Sequence, residues 1–299
     1  MYISIIGTSS ITKQHIEVLR KNFKILSISA TRGNSKNLRK ISKKYKIKNT
    51  FYDWKKSIQF SRKIKNLSFF ITSRIEDNEK ILKECCKTKK KIFIEKPIFL
   101  NSFKFKKFNS FNKQIFIGYN RIFYKNIIFL KKEISNKKNL NIIVNCPESD
   151  KKSIYSNSCH LISILFFLFG KLSLKRIDKR KNNINCVIET RLKNLIFLTF
   201  NLKNSNNFSI EIYNEKLRYL LSPIENLQIF KGFNIKMKNN NRIYFPKLKK
   251  NFNEFRENKF KPGFLKQSYE FKKFIKGKKI QNDVCFGAEI IKFIEKILI

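Results

Sequence analysis

The chain has 299 residues, with 66 Lys and Arg against 21 Asp and Glu, for a formal net charge of +45. With 42% apolar residues and 31 Phe, it carries too much hydrophobic surface to remain disordered, and it is long enough for two domains, each with its own core. The most apolar run, LISILFFLF at 161–169, is about half of the ~20 residues needed to cross a hydrocarbon core, so no transmembrane helix and no membrane partner are expected.

The first third alternates two periods. Apolar β-type runs fall at 2–6 (YISII), 24–30 (KILSISA), 49–52 (NTFY), 66–73 (NLSFFITS), 91–95 (KIFIE) and 114–119 (QIFIGY). Between them lie stretches of helical spacing such as KQHIEVLRK from 13 and EDNEKILKECCKTK from 76. Several runs are apolar on both faces, which marks a sheet covered by helices on each side. Strand and helix in strict alternation predict a Rossmann-like, doubly wound parallel sheet over residues 1–120.

From 121 to 299 the pattern changes to a second α/β domain with a large, mostly antiparallel sheet. A helix at 126–135, a strand at 140–146 and an apolar helix at 158–169 precede strands at 174–180, 184–191, 194–203, 207–213 and 217–221. The polar stretch 230–262 reads as a long loop with a short strand at 241–245. Helices at 264–275 and 284–298 end the chain and are expected to pack back on the first domain, and with no linker between the halves a shared cleft is expected.

The N-terminus reads directly as a strand and not as a signal peptide, which favours the cytoplasm. The six cysteines, at 85, 86, 146, 159, 186 and 285, form no C-x-x-C pair, so reduced, mostly buried thiols and no structural metal are expected. The positive charge comes from 54 Lys and only 12 Arg spread along the whole chain, alongside abundant Ile, Asn and Phe. Base bias of the coding sequence explains that pattern, and with no recognisable nucleic-acid module no specific nucleic-acid partner is expected.

The first strand runs into GTSSIT and then a helix. In a dinucleotide-binding turn one glycine allows the bend, a second lets backbone approach a pyrophosphate, and the helix N-terminus faces that anion. Only Gly7 is kept here, with Ser9 and Thr12 at the other two positions, where their hydroxyls can donate to phosphate. Gly7, Thr8, Ser9, Ser10 and Ile11 are therefore candidate cofactor-binding residues. Strand two ends in Ala30, Thr31 and Arg32 with no carboxylate to bind a ribose hydroxyl. Thr31 and a guanidinium at Arg32 suit a 2′-phosphate, so NADP is favoured over NAD. Strand five ends in Glu95-Lys96-Pro97, which sets Lys96 at the sheet edge where ligands bind.

On IIGTSSITKQH with His15, YDWKKSI (52–58), the EKP signature, GYNRIF (118–123), the S-x-x-H-L-I helix start of SNSCHLISILFFLFG and the late GFLKQSYEFKKFI, the chain resembles the glucose-fructose oxidoreductase, inositol dehydrogenase and rhizopine-catabolism (Gfo/Idh/MocA) oxidoreductases. The resemblance spans essentially the whole chain. It implies hydride exchange between a nicotinamide and a sugar, cyclitol or nucleotide-linked sugar. It also implies Lys96 as the residue that binds the substrate hydroxyl, His160 as the acid/base, and a Lys96–Pro97 bond that is often cis. Thr72, Ser73 and Glu95 then join the cofactor site, and Tyr119, Asn120, Arg121 and Ser156 the substrate site, with a homodimer or homotetramer as the assembly.

Two departures stand out. Many relatives carry an Asp one helical turn before the histidine, where this chain has Ser156, and the usual T-P-x-x-H after strand four is TSRIEDN, with Arg74 and Asn78. These departures keep open a noncatalytic sugar- or nucleotide-binding relative as the alternative.

Overall fold

Ile3, Ile5 and Ile6 of strand β1 (Tyr2–Ile6) have no exposed surface, because β1 lies in the middle of a parallel sheet. The computed structural model describes residues 1–298 except 34, 205, 240 and 258. From β1 the chain continues through α1 (Ser10–Leu19), β2 (Lys24–Ser29), α2 (Lys36–Tyr45), β3 (Asn49–Phe51), α3 (Trp54–Arg62), β4 (Leu67–Ile71), α4 (Ile75–Cys86), β5 (Ile92–Ile94), a 3-10 segment (Ser102–Phe111) and β6 (Ile115–Ile117). The six strands pair in the order β3-β2-β1-β4-β5-β6, all parallel. The order reverses between β1 and β4, so the first βα turn and the ends of β4 and β5 stand together at one edge.

The second unit begins with a short 3-10 turn and α5 (Lys125–Ile134). Strand β7 (Asn141–Glu148), the single turn α6 (Lys151–Ser153), a π-helical segment (Ile154–Ser158) and α7 (Cys159–Phe169) follow. Strands β8 (Leu172–Lys179), β9 (Asn183–Thr190), β10 (Leu195–Leu202), β11 (Ser209–Tyr213), β12 (Arg218–Leu221), β13 (Asn226–Lys238) and β14 (Asn241–Asn253), then α8 (Glu254–Glu257), complete it. The eight strands run β14-β13-β12-β11-β7-β10-β9-β8, antiparallel except for the β7–β10 pair. Alternation decides the faces: Ile142, Val144, Ile196, Leu198 and Phe200 are buried, whereas Ile143, Leu195 and Phe197 between them are exposed. Helix α5 lies on the inner face, where Tyr219 of β12 donates to Glu133 at 3.3 Å.

Residues 230–262 are not a loop. They hold most of the long hairpin β13–β14, whose outer part stands clear of the unit, with Phe233 67%, Ile235 57% and Tyr244 56% exposed. A ribbon wet on both faces has no inward set of side chains, so the alternation that reveals a half-buried strand is missing from its sequence.

Helices α9 (Phe264–Ile275) and α10 (Val284–Leu298) follow, and Gly263–Glu295 group with Met1–Asn120 into one compact unit. Arg121–Pro262 and the residues from Lys296 form the other. Phe271 of α9 packs edge-on against Phe70, Phe93 and Phe116, the ring file of β4, β5 and β6. Among the described residues no helix is long and apolar enough to cross a membrane, and no group of three His, Cys, Asp or Glu could hold a metal ion. Five of the six cysteines are buried free thiols and Cys285 is exposed; burial pushes Cys86 and Cys186 up to about 12.

Gly287 sets how closely α10 approaches the sheet, because a Cβ there would meet Ile117 Cδ1 at 2.4 Å and a Phe105 ring carbon at 2.9 Å. Gly287→Val is expected to cost about 1–3 kcal/mol by overpacking. Urea unfolding checks this, and an unchanged midpoint would mean that the contact is loose.

Candidate functional site

Gly7 adopts φ +123°, and a Cβ on it would sit 2.5 Å from the Thr72 carbonyl oxygen. Only glycine satisfies both conditions. The first βα turn therefore lies directly on the end of β4, and hydroxyls fasten it there. Thr12 Oγ1 is 2.8 Å from Thr72 Oγ1, and Ser9 Oγ donates to the Thr72 carbonyl at 3.3 Å. The buried Thr12 hydroxyl is thus committed to β4 and does not face phosphate, contrary to the expectation from sequence. In place of a third glycine's close helix–strand contact, the chain has a hydroxyl bond.

Ser9 precedes α1 in extended conformation, makes no side-chain cap, and no acidic residue occupies the first turn. Ser9 and Ser10 are exposed, and Thr8 and Ile11 are half-buried. A ten-residue helix with an uncapped start and no carboxylate in its own first turn favours an anion at its N-terminus. Thr8 Oγ1 meets Ser35 Oγ at 3.1 Å, tying this turn to the start of α2. Thr31 is half-buried after β2, and Arg32 is exposed, its Nε 3.6 Å from Asp77 on the first turn of α4. Asp77 escaped the sequence reading: it is a carboxylate supplied to this corner from α4, not from β2.

Thr72 is buried and Ser73 half-buried at the end of β4. Ser73 donates to Asn78 Oδ1 at 2.6 Å, and the Asn78 amide donates to the Ile98 carbonyl at 2.9 Å. Asn78 thus links the β4 turn to the chain just past Lys96-Pro97.

Glu95 has both oxygens engaged. Its Oε1 lies 2.6 Å from His15 Nε2, and its Oε2 accepts the backbone N–H of Lys96 at 3.2 Å. The His15 ring is stacked on Phe264 of α9 at 4.3 Å, with Phe70 and Phe93 at its edges. His15 is thus a buried tie between α1, β5 and α9, and Glu95 is a support for Lys96. The Lys96–Pro97 peptide is cis. Asn120 is buried at the end of the first unit. The Tyr119 ring, assigned to the substrate cleft by resemblance, has no exposed surface and packs edge-on against Phe286.

In the second unit His160 is the second residue of α7, 8% exposed, and its carbonyl accepts from Ser163 Oγ at 2.6 Å. Ser156 is exposed in the π-helical segment. Arg121 lies over the Phe208 ring at 5.3 Å and, with Pro147, Asn157, Asn207, Phe208 and Glu225, lines a cavity of about 430 Å³. Sequence reading passed over Glu148, the buried last residue of β7, whose oxygens accept from Ser158 and from the Asn157 amide. A larger cavity of about 580 Å³ lies between α3 and α4 around Trp54 and Lys80 and includes none of these residues.

Solved structures share this architecture over the full chain. An oxidoreductase from Desulfitobacterium hafniense described as NADPH-dependent aligns with TM-score 0.80 at 13% identity, covering 100% of this chain and 94% of that one. Levoglucosan dehydrogenase, in complex with NADH and levoglucosan, gives 0.76 at 12%, covering 100% and 96%. UDP-N-acetylglucosamine 3-dehydrogenase from Acidithiobacillus ferrooxidans gives 0.73 at 10%, covering 99% and 96%. At such identities the likeness establishes the fold: a Rossmann unit followed by a unit with a large, mostly antiparallel sheet. No protein-family profile matches the chain, and neither does any curated protein.

Gly7→Ala forces a Cβ onto Thr72 in a left-handed backbone and is expected to cost about 2 kcal/mol or more. Thr12→Val, which keeps the shape and removes the hydroxyl bond, should cost about 1 kcal/mol. Chemical denaturation of both variants checks the order; equal effects would contradict the close contact at Gly7.

Proposed function

We propose that this protein is an NAD(P)-dependent oxidoreductase that transfers hydride between the nicotinamide and a hydroxyl-bearing or keto carbon of a sugar, cyclitol or nucleotide-linked sugar. The observation that carries the reading is the Gly7 turn. A glycine-only contact with β4 leads into an uncapped helix start at the switch point of a β3-β2-β1-β4-β5-β6 sheet.

The residues present fit a dinucleotide. Gly7, Thr8, Ser9, Ser10 and Ile11 offer backbone N–H groups and the helix N-terminus to a pyrophosphate, and Thr72 and Ser73 flank them from β4. Thr31 and Arg32 would receive the adenosine ribose. Exposed and only loosely paired with Asp77, Arg32 is available to a 2′-phosphate, which favours NADP. When bound, the nicotinamide accepts or donates the hydride.

Lys96 is the residue we assign to the substrate oxygen: its ammonium holds and polarises the hydroxyl, and Glu95 fixes its backbone. His160 takes the hydroxyl proton as hydride leaves, or returns it in the reverse direction. Arg121, Ser156 and Asn157, the last lining the 430 Å³ cavity with Arg121, are assigned to the remaining substrate hydroxyls. Asn120 is kept with this set by its place next to Arg121. A homodimer or homotetramer is proposed to cover the exposed sheet face around Ile143 and Phe197.

Purified protein should change nicotinamide absorbance with at least one member of a panel of sugars, cyclitols and nucleotide-linked sugars. Lys96→Ala and His160→Ala should each slow that turnover about 10²–10⁴-fold. Unchanged turnover would remove the assigned roles. Arg32→Ala should weaken NADPH binding about tenfold or more while leaving NADH within about twofold, as for loss of a charge-assisted bond. Equal losses for both cofactors would place the 2′-phosphate elsewhere.

A further inference from the structure

Glu148 and Glu254 are the two carboxylates among the described residues that are buried. Glu254 has a local use, since it accepts the backbone N–H of Asn126 at the start of α5 at 2.8 Å. Glu148 ends β7, and its side chain turns to the segment that leads into His160. Ser158 Oγ donates to its Oε1, and the Asn157 amide donates to its Oε2 at 3.3 Å. Cys146, two residues earlier on β7, donates to the same Ser158 hydroxyl at 3.0 Å. The backbone is fixed as well, because the Glu148 carbonyl accepts from Lys203 N–H at 2.7 Å.

The segment that Glu148 grips is the π-helical stretch Ile154–Ser158, which runs directly into α7. Single π turns recur at functional sites because they re-aim the side chains that follow. In this segment Ser156 is exposed and neutral, so the helix itself carries no negative charge one turn before His160. Burying a carboxylate is costly unless it is held, and this one is held at the turn that leads into His160.

We propose that Glu148 is the positioning residue for His160, supplying from the strand side, through Ser158 and Asn157, the negative charge that Ser156 does not provide. The inference rests on His160 being the acid/base of the function proposed above. Held at the end of β7, the carboxylate favours the imidazolium that forms when His160 takes the substrate proton, while its bonds from Ser158 and Asn157 fix the turn that carries the ring. Other ionisable groups at this end of the unit include Arg121, Cys146, Asp150, Lys151, Lys152, Tyr155, Cys159, Lys203 and Glu225, and the carboxylates of Asp150, which caps Ser153, and Glu225, which lines the cavity with Arg121 and Asn157, have the same sign as Glu148. Arg121 and Glu148 act with opposite sign on the Cys146 thiol, which burial raises well above its ordinary value, so both charges lie close to this strand end.

The chain has two histidines, His15 and His160, so each ring can be followed separately by NMR in the intact protein. In Glu148→Gln, which keeps an acceptor and removes the charge, the His160 titration midpoint should fall by about 0.5–1 pH unit, while that of His15 stays in place. A native spectrum with the His160 midpoint unchanged would overturn the proposal, because a carboxylate with a purely structural role would leave it alone. If the variant does not fold, the unmodified protein still decides the question: the Glu148 carboxyl carbon should show an inflection at the His160 midpoint, and its absence overturns the proposal. Coupling present in a protein that binds no dinucleotide would support the pairing and defeat the functional reading. Turnover of a sugar without the coupling would do the reverse.

Discussion

The carboxylate of Glu95 is the constraint on which the arrangement of the first unit turns. One oxygen meets His15 of α1 and the other the Lys96 amide, while the His15 ring is clasped between Phe264 of α9 and the Phe70 and Phe93 edges. One pair thus joins the helix whose start forms the anion site, the strand end that presents Lys96, and the helix that returns from the far end of the sequence. Placing such a pair among aromatic rings is costly unless its geometry is good and its remaining lone pairs are satisfied, and here the backbone N–H of Lys96 takes the second oxygen. The Gly7–Thr72 contact adds β4 to the same edge, and Asn78 carries the connection on to Ile98.

In a chain with 21 acidic residues against 66 cations, where the few carboxylates go is informative. On the surface several serve two lysines each: Glu79 pairs with Lys104 and Lys107, Glu189 with Lys175 and Lys193, and Glu270 with Lys266 and Lys273. Hydrogen bonds from those lysines hold Glu79 and Glu189 below the usual carboxylate range. Such exposed pairs contribute little individually to stability, but they break up the positive field. Glu95, Glu148 and Glu254 each sit where a backbone or a turn must be held.

Most of the fold was legible because its strands bury a definite face. The six parallel runs, the alternating strands from β8 to β12 and both final helices follow the sequence periods closely, since each period records contact with a core. The hairpin β13–β14 was not legible, because Phe233, Ile235 and Tyr244 contact no core that would impose a pattern. The site divides in the same way. Gly7 stands where strand, turn and helix meet in sequence, so local reading singled it out, whereas the roles proposed for Lys96 and His160 came from the resemblance. Asp77 beside Arg32 and the grip of Glu148 on Ser158 come from packing between elements, which local spacing does not reveal. Tyr119, which resemblance placed in a cleft, is buried and packs edge-on against Phe286, a contact that local spacing likewise does not reveal.

The proposed dinucleotide site is the Gly7 turn together with the start of α1. Titration of the purified protein with NADPH and with NADH, followed by nicotinamide fluorescence at low and at near-physiological salt, tests it most directly. The account predicts saturable binding that persists at the higher salt, because a built turn holds the pyrophosphate through backbone amides and does not rely on diffuse positive charge. Binding to neither cofactor, or binding that vanishes as salt rises in the manner of general attraction to a +45 chain, would contradict it.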